Sequence, residues 1–281
     1  MNWDARRRVY VHDNGTVVSP SELRQLIENY IEREKSEVDS QAQLLIAGTI
    51  TAAFFFDWLR DKIREVHGAA GLVAYGGENQ MNRQRWARIG QKVASETVYV
   101  NAFERDFLAS ERVAQVMIAE AAEVLEVAPS VVESVVTTAA PSEIAARLAT
   151  KTEASRDVLE RIATKERIDQ LIFGQTPARS QLYMESIYGT HENSVTDRES
   201  DAGVISGRRI CEEDGASCDE CVAAASDEYI PLAEITDIGS LQCMSNCRCT
   251  IEFDYSGVSP LTIERSIYAP GFQNVNAASV F

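Results

Sequence analysis

The chain has 281 residues, 45% of them hydrophobic, and its 27 basic and 43 acidic side chains give a formal charge of −16. That much apolar content can bury a real core, which excludes global disorder, and the length admits one large domain or two smaller ones. The acid is unevenly spread: residues 1–110 carry 15 acids against 14 bases, whereas residues 192–249 carry 13 against 4, so the later stretch should repel phosphate backbones.

Ser19 is placed to cap a helix, with Pro20 in its first turn and Glu22 completing a capping box. Leu23, Leu26, Ile27, Tyr30 and Ile31 then recur at helical spacing. A second helix is predicted from about Glu37 to Val66, stopping at His67-Gly68, with Gly68, Gly71, Gly76 and Gly77 marking a loop. It contains the longest apolar run, residues 44–56. As a helix that run reaches only about 20 Å, short of a bilayer core, and it reads as a buried helix or an oligomer contact.

From Glu78 the pattern is helical again. Phe103, Phe107, Val113, Val116, Met117, Val124 and Leu125 mark a long amphipathic segment ending before Pro129. Pro141-Ser142-Glu143 opens another, carried by Ile144, Leu148, Val158, Leu159, Ile162, Ile168, Leu171 and Ile172 to Gly174. After Thr190 the period fades, turn residues multiply, and Cys249-Thr250-Ile251-Glu252-Phe253 reads as a strand. Residues 257–281, with Tyr268, Phe272 and Phe281 irregularly spaced, read as an extended arm, either disordered or docked on a neighbouring subunit. The expected fold is therefore a mainly α-helical N-terminal domain (1–190), a small Cys-rich, zinc-stapled α+β C-terminal module (191–256) and an extended C-terminal arm (257–281).

All six cysteines fall between Cys211 and Cys249. Cys218-x2-Cys221 puts two sulfurs on one tight turn, and Cys243-x3-Cys247-x-Cys249 supplies more, enough for a tetrahedral Zn²⁺. The expected ligands are Cys218, Cys221, Cys243 and Cys247, with Cys249 as the alternative fourth. Cys247 and Cys249 at i, i+2 would share one face of a strand. Cys211 is the spare. A disulfide framework would need an oxidising compartment. The segment from Met1 to Tyr10 has no apolar stretch and no cleavage motif, so synthesis in a reducing cytoplasm is expected. Four thiolates make a closed, structural site, whereas a catalytic zinc keeps an open position and usually carries His or carboxylate ligands. His12, His67 and His191 are distant in sequence from the cysteines and from one another.

No phosphate-binding glycine loop or nucleophile elbow is present, and the acid pairs have no apolar surroundings that would separate their pKa values. The expectation is a non-enzyme. Arg83, Arg85, Arg88 and Lys92 around Trp86 form the best phosphate-facing stripe, although a solvated helix face is the commoner meaning of such a pattern. A second basic spot is Arg6-Arg7-Arg8.

Cys218-Asp219-Glu220-Cys221, followed by Asn246-Cys247-Arg248-Cys249 ahead of a β run, resembles the C-terminal region of phage head-morphogenesis proteins, the minor head proteins similar to protein F of phage Mu. Pro177-Ala178-Arg179 through Tyr183 faintly resembles the Arg and Tyr positions that precede the cysteines in that family. Two departures stand out: the family's usual His is missing, and Cys243 stands one place further out. The resemblance implies a virion structural protein, made in the host cytoplasm and present in few copies. It would associate with portal and capsid proteins inside the head and act in head assembly, DNA packaging or ejection. Packaged DNA is a weaker partner. The alternative is a DNA-binding packaging or regulatory factor with a structural zinc ribbon, acting through Arg83, Arg85, Trp86, Arg88 and Lys92.

Overall fold

The computed structural model describes residues 2–4, 9–125, 128–130, 132, 153–211, 218–241, 247 and 249–258; at 2, 3, 20, 79, 124, 125 and 153–174 it describes the backbone alone. Four long helices dominate it: α1 (Pro20–Ile46), α2 (Ala52–Tyr75), α3 (Arg83–Leu125) and α4 (Glu153–Asp201). No helix among the described residues is long and apolar enough to cross a membrane.

The capping expected at Ser19 is present, its Oγ accepting from Glu22 N at 3.2 Å. The helix expected from 37 to 66 is instead divided between α1 and α2. Gly48 adopts φ 67°, a left-handed turn that glycine enters without steric cost. Thr49 N bonds back to Leu44 O at 2.9 Å, closing α1. Thr51 Oγ1 then accepts from Phe54 N at 3.2 Å and starts α2. The apolar run is thus interrupted by its own polar and glycine residues.

α2 continues past Gly68 and Gly71, where a loop was expected. Val66, Ala70, Val73 and Ala74 are buried on this turn, and packing of that face outweighs a glycine penalty of about 1 kcal/mol per residue. At Gly71 the helix lies against the Ile89 side chain, which would have to shift to admit a Cβ. α3 begins at its Asn82 cap, where Asn82 Oδ1 accepts from Arg85 N at 2.9 Å. Residues 133–152, which hold the predicted start at Pro141, lie outside the described residues. α4 runs through Gly174, Pro177 and Thr190 to Asp201, past the boundary expected at residue 190. Its buried positions there include Thr190, His191, Ser194 and Glu199, so the helical face is real but not apolar.

The chain forms two compact units: Met1–Ser40, Asp57–Val98 and Ser180–Phe281 in one, Gln41–Phe56 and Tyr99–Arg179 in the other. The cysteine region belongs to the unit that contains the N-terminus.

In the second unit Phe56 is fully buried and meets Phe55, Phe103 and Phe107 edge-on, with ring centroids 5.2, 5.1 and 5.8 Å away. Arg179 caps that group, 4.5 Å above the Phe103 ring, and pairs with Asp106 at 3.3 Å.

The first unit buries polar groups among its apolar ones. His67 lies buried between Thr190 Oγ1 at 2.7 Å and Ser186 Oγ at 3.3 Å. Lys62 reaches Glu34 at 2.5 Å and Glu37 at 2.7 Å. A short hairpin of β1 (Asn2–Asp4) and β2 (Val9–Val11), which the sequence did not signal, pairs Trp3 with Tyr10. Tyr10 packs with Val18 and Val73 and donates to Val73 O. Arg198 of α4 also donates to α2, at Ala74 O 2.5 Å away.

After α4 comes a three-stranded antiparallel sheet in the order β4, β3, β5, formed by β3 (Ser206–Ile210), β4 (Ile230–Pro231) and β5 (Thr250–Asp254). The short helix α5 (Asp219–Ala224) lies between β3 and β4 in sequence. A small sheet with a cysteine cluster near the C-terminus, as expected for this region, is therefore present. Residues 259–281, most of the expected arm, lie outside the described residues.

Candidate metal centre

Alternation along β3 sends successive side chains to opposite faces of the sheet, and the two adjacent arginines show it. Arg208 turns outward: its Nε donates to Glu252 at 2.7 Å and its guanidinium lies 5.3 Å from the Tyr229 ring centre. Arg209 turns inward with Gly207 and is 2% exposed. A side chain at 207 could not share that face, because its Cβ would meet Glu252 O and Leu232 Cδ2, each at 2.9 Å.

Inside, Arg209 meets sulfur. Its Nη2 donates to Cys221 Sγ and Cys247 Sγ, both at 3.3 Å, while Nη1 donates to Thr236 O at 2.9 Å. Cys221 comes from the first turn of α5, whose N-cap is Cys218, and Cys218 Sγ accepts from Cys221 N at 3.4 Å. Cys247 and Cys249 arrive from the segment just before β5. All three sulfurs, of Cys221, Cys247 and Cys249, are buried and lie within 4.8 Å of one another. Cys221 and Cys247 are 3.7 Å apart.

That spacing suits a tetrahedral ion. Four sulfurs at 2.3 Å from zinc stand about 3.8 Å from one another, whereas a disulfide requires about 2.05 Å. The donor set is soft, and thiolates select zinc or similarly soft ions over magnesium or calcium. Cys221, Cys247 and Cys249 therefore fit a metal as a group, and they can staple α5 to the approach of β5.

Cys247 and Cys249, expected as alternatives on a strand, both join the group, and both precede β5 rather than lying in it. Cys243 lies outside the described residues. Cys218 borders the group through its bond to Cys221 N. Cys211, set aside as a spare, comes near enough to Cys249 to push its thiol up further. The register accounts for this. Ile210 pairs with Thr250, so the next antiparallel step brings residue 211 opposite 249.

Burial pushes the Cys249 thiol up, and the nearby Arg209 guanidinium opposes that rise. For Arg209 burial acts against the charge, yet the nearby sulfurs of Cys249, Cys247 and Cys221 outweigh it and hold the guanidinium above its ordinary value. Arg209 is the residue that sequence reasoning missed. Its only signal was a lone Arg-Arg pair heading a stretch, residues 211–240, with nine carboxylates and no Lys or Arg.

The histidines stand apart, with none in the sulfur group. His67 is held neutral by burial and by the nearby Lys92, its pKa lowered to about 3. His191 Nδ1 lies 3.1 Å from Glu192.

The candidate phosphate stripe is largely occupied by acids. Arg85 pairs with Asp201 at 2.9 Å and lies 4.7 Å from the Tyr75 ring centre. Arg88 pairs with Asp197 at 3.2 Å, and Lys92 with Glu96 at 2.7 Å. Arg83 and Trp86 are exposed. The stripe thus links the start of α3 to the acidic end of α4, which neutralises much of the charge that DNA would need. Compared with protein-family models, with curated proteins and with solved structures, the chain has no match.

Proposed function

We propose that the chain is a phage minor head protein, an assembly part in which a structural zinc ion fixes the shape of a small acidic module. The observation that carries this reading is the buried Cys221, Cys247 and Cys249 group, drawn from two distant pieces of chain. Cys218, Cys211 or Cys243 would supply the fourth thiolate and close the site. The viral assignment rests on the Cys218-x2-Cys221 and Asn246-Cys247-Arg248-Cys249 pattern.

Chemistry fits a staple better than a reaction centre. A module of this size cannot bury enough apolar surface to hold itself together, and metal binding supplies folding free energy directly. A closed thiolate shell has no position for an activated water. The module's surplus carboxylates suit a basic protein surface, so portal or capsid subunits are the proposed partners.

Native mass spectrometry of protein purified under reducing conditions tests the chemistry. One bound zinc per chain is expected, and a metal-free folded module would refute the staple. For the biological role, co-expression with the portal protein of the same phage should yield a complex that survives size-exclusion chromatography. Clean separation of the two in every buffer would refute the portal association.

A further inference from the structure

A charge as buried as Arg209 requires compensation, and the structure restricts where it comes from. Its guanidinium is 2% exposed. Among the described residues no carboxylate lies within ion-pair distance of it, in contrast to Arg208 with Glu252 at 2.6 Å. Nη1 has a backbone carbonyl and Nη2 has two sulfurs, while Nε has no hydrogen-bond partner. Isolating a charge in the interior costs several kcal/mol, and neutral thiols or a disulfide would leave this one facing only weak dipoles. Thiolates would not.

Charge counting agrees. Three thiolates around a divalent ion carry a net charge of minus one, and four carry minus two. One fixed guanidinium cancels or halves that charge, in a stretch of chain that brings no other base between residues 211 and 240.

We propose that Arg209 is a positioning residue of the metal centre: its guanidinium holds the Cys221 and Cys247 sulfurs in place and balances the charge of the metal–thiolate group. The proposal rests on the metal reading above. It excludes a resting Cys221–Cys247 disulfide, and it places part of the site's affinity in a residue that never touches the ion. Outer-shell hydrogen-bond partners of metal ligands typically contribute 10–100-fold to affinity.

The test is zinc affinity of the full chain under reducing conditions, by competition with a chromophoric chelator. Arg209→Met, Arg209→Gln and Arg209→Lys would be compared with the parent, with thiolate-to-metal absorption of the cobalt(II) forms as a second readout. Arg209→Met and Arg209→Gln should weaken zinc binding by roughly 10–100-fold, and Arg209→Lys, which keeps the charge, should recover most of that loss. Equal affinity of Arg209→Met and the parent overturns the proposal. If Arg209→Met does not fold, equal affinity of Arg209→Gln and Arg209→Lys overturns it, because charge would then be irrelevant. A parent protein that binds no zinc at all refutes the metal reading itself, an outcome distinct from a parent that binds and variants that bind equally well.

Discussion

Replacing Lys62 with Met should destabilise the N-terminal unit by about 3 kcal/mol. Lys62 is 8% exposed at its side chain and contacts Glu34 at 2.5 Å, Glu37 at 2.7 Å and Glu65 at 3.7 Å. Glu37 and Glu65 are 49% and 67% exposed, so they rehydrate when the ammonium is removed, and each pair contributes less than about 1 kcal/mol. Glu34 cannot rehydrate, being 3% exposed. Breaking a buried pair by removing one partner costs about 3–5 kcal/mol. The lower end applies because Arg33, itself 58% exposed, still reaches Glu34 at 2.7 Å. Calorimetry should show a Tm drop of roughly 6–12 °C, at about 2–4 °C per kcal/mol, with urea unfolding as a check. Adding Glu34→Gln to Lys62→Met should restore most of the loss, since it removes the stranded charge. A Lys62→Met cost below about 1 kcal/mol, or a double variant no more stable than the single one, would refute the reasoning.

Three further outcomes are expected. His67 stays neutral in the fold down to about pH 3 but takes a proton near 6.5 when unfolded. Between those values the unfolded chain holds more protons, so stability should fall as pH drops through that window, by up to about 1.4 kcal/mol per pH unit. His67→Gln should flatten this slope, and identical urea midpoints against pH for both proteins would show that His67 is not the cause. Asn193 of α4 clamps the module by both amide atoms, donating to Ile238 O at 3.0 Å and accepting from Ile238 N at 2.9 Å. Asn193→Asp turns the donor into an oxygen facing a carbonyl, at a cost of about 1–3 kcal/mol, and amide exchange at Ile238 should accelerate; unchanged exchange there would count against the clamp. Finally, zinc in thousandfold excess over its Kd adds about 4 kcal/mol. A chelator with reductant should therefore lower amide protection in β3 and β5 by up to about a thousandfold while α1 to α3 keep theirs. Protection in β3 and β5 that ignores the chelator would mean that apolar packing holds the sheet.

The helices were legible where burial coincides with apolar side chains, as at Ile27, Tyr30 and Ile31 of α1 or Phe103 and Phe107 of α3. They were illegible where the interior is polar. The last turns of α4 bury Ser194 and Glu199; Glu199 accepts from its neighbour Arg198, which also reaches Ala74 O, and from Tyr255, and both Ala74 and Tyr255 are distant in sequence from α4. Glycine misled in both directions. Gly48 ends a helix inside an apolar run, whereas Gly71 lies inside one, close against Ile89. In the candidate site, the Cys218/Cys221 turn was visible from spacing alone. The inward turn of Arg209 and the approach of Cys211 to Cys249 depend on the β3–β5 register, which no local pattern encodes.

A metal held by Cys221 and Cys247 would limit what this segment is permitted to become. Metal binding at those positions stabilises the folded state alone, by about 4 kcal/mol at a thousandfold excess over Kd, independent of which side chains lie between them. Residues 222–246 hold Asp227, Glu228, Glu234 and Asp237 and not one Lys or Arg, a composition that would weaken an ordinary self-supporting fold through repulsion. Clamped at its ends, such a loop can drift in sequence to match whatever it docks against, while its path stays the same.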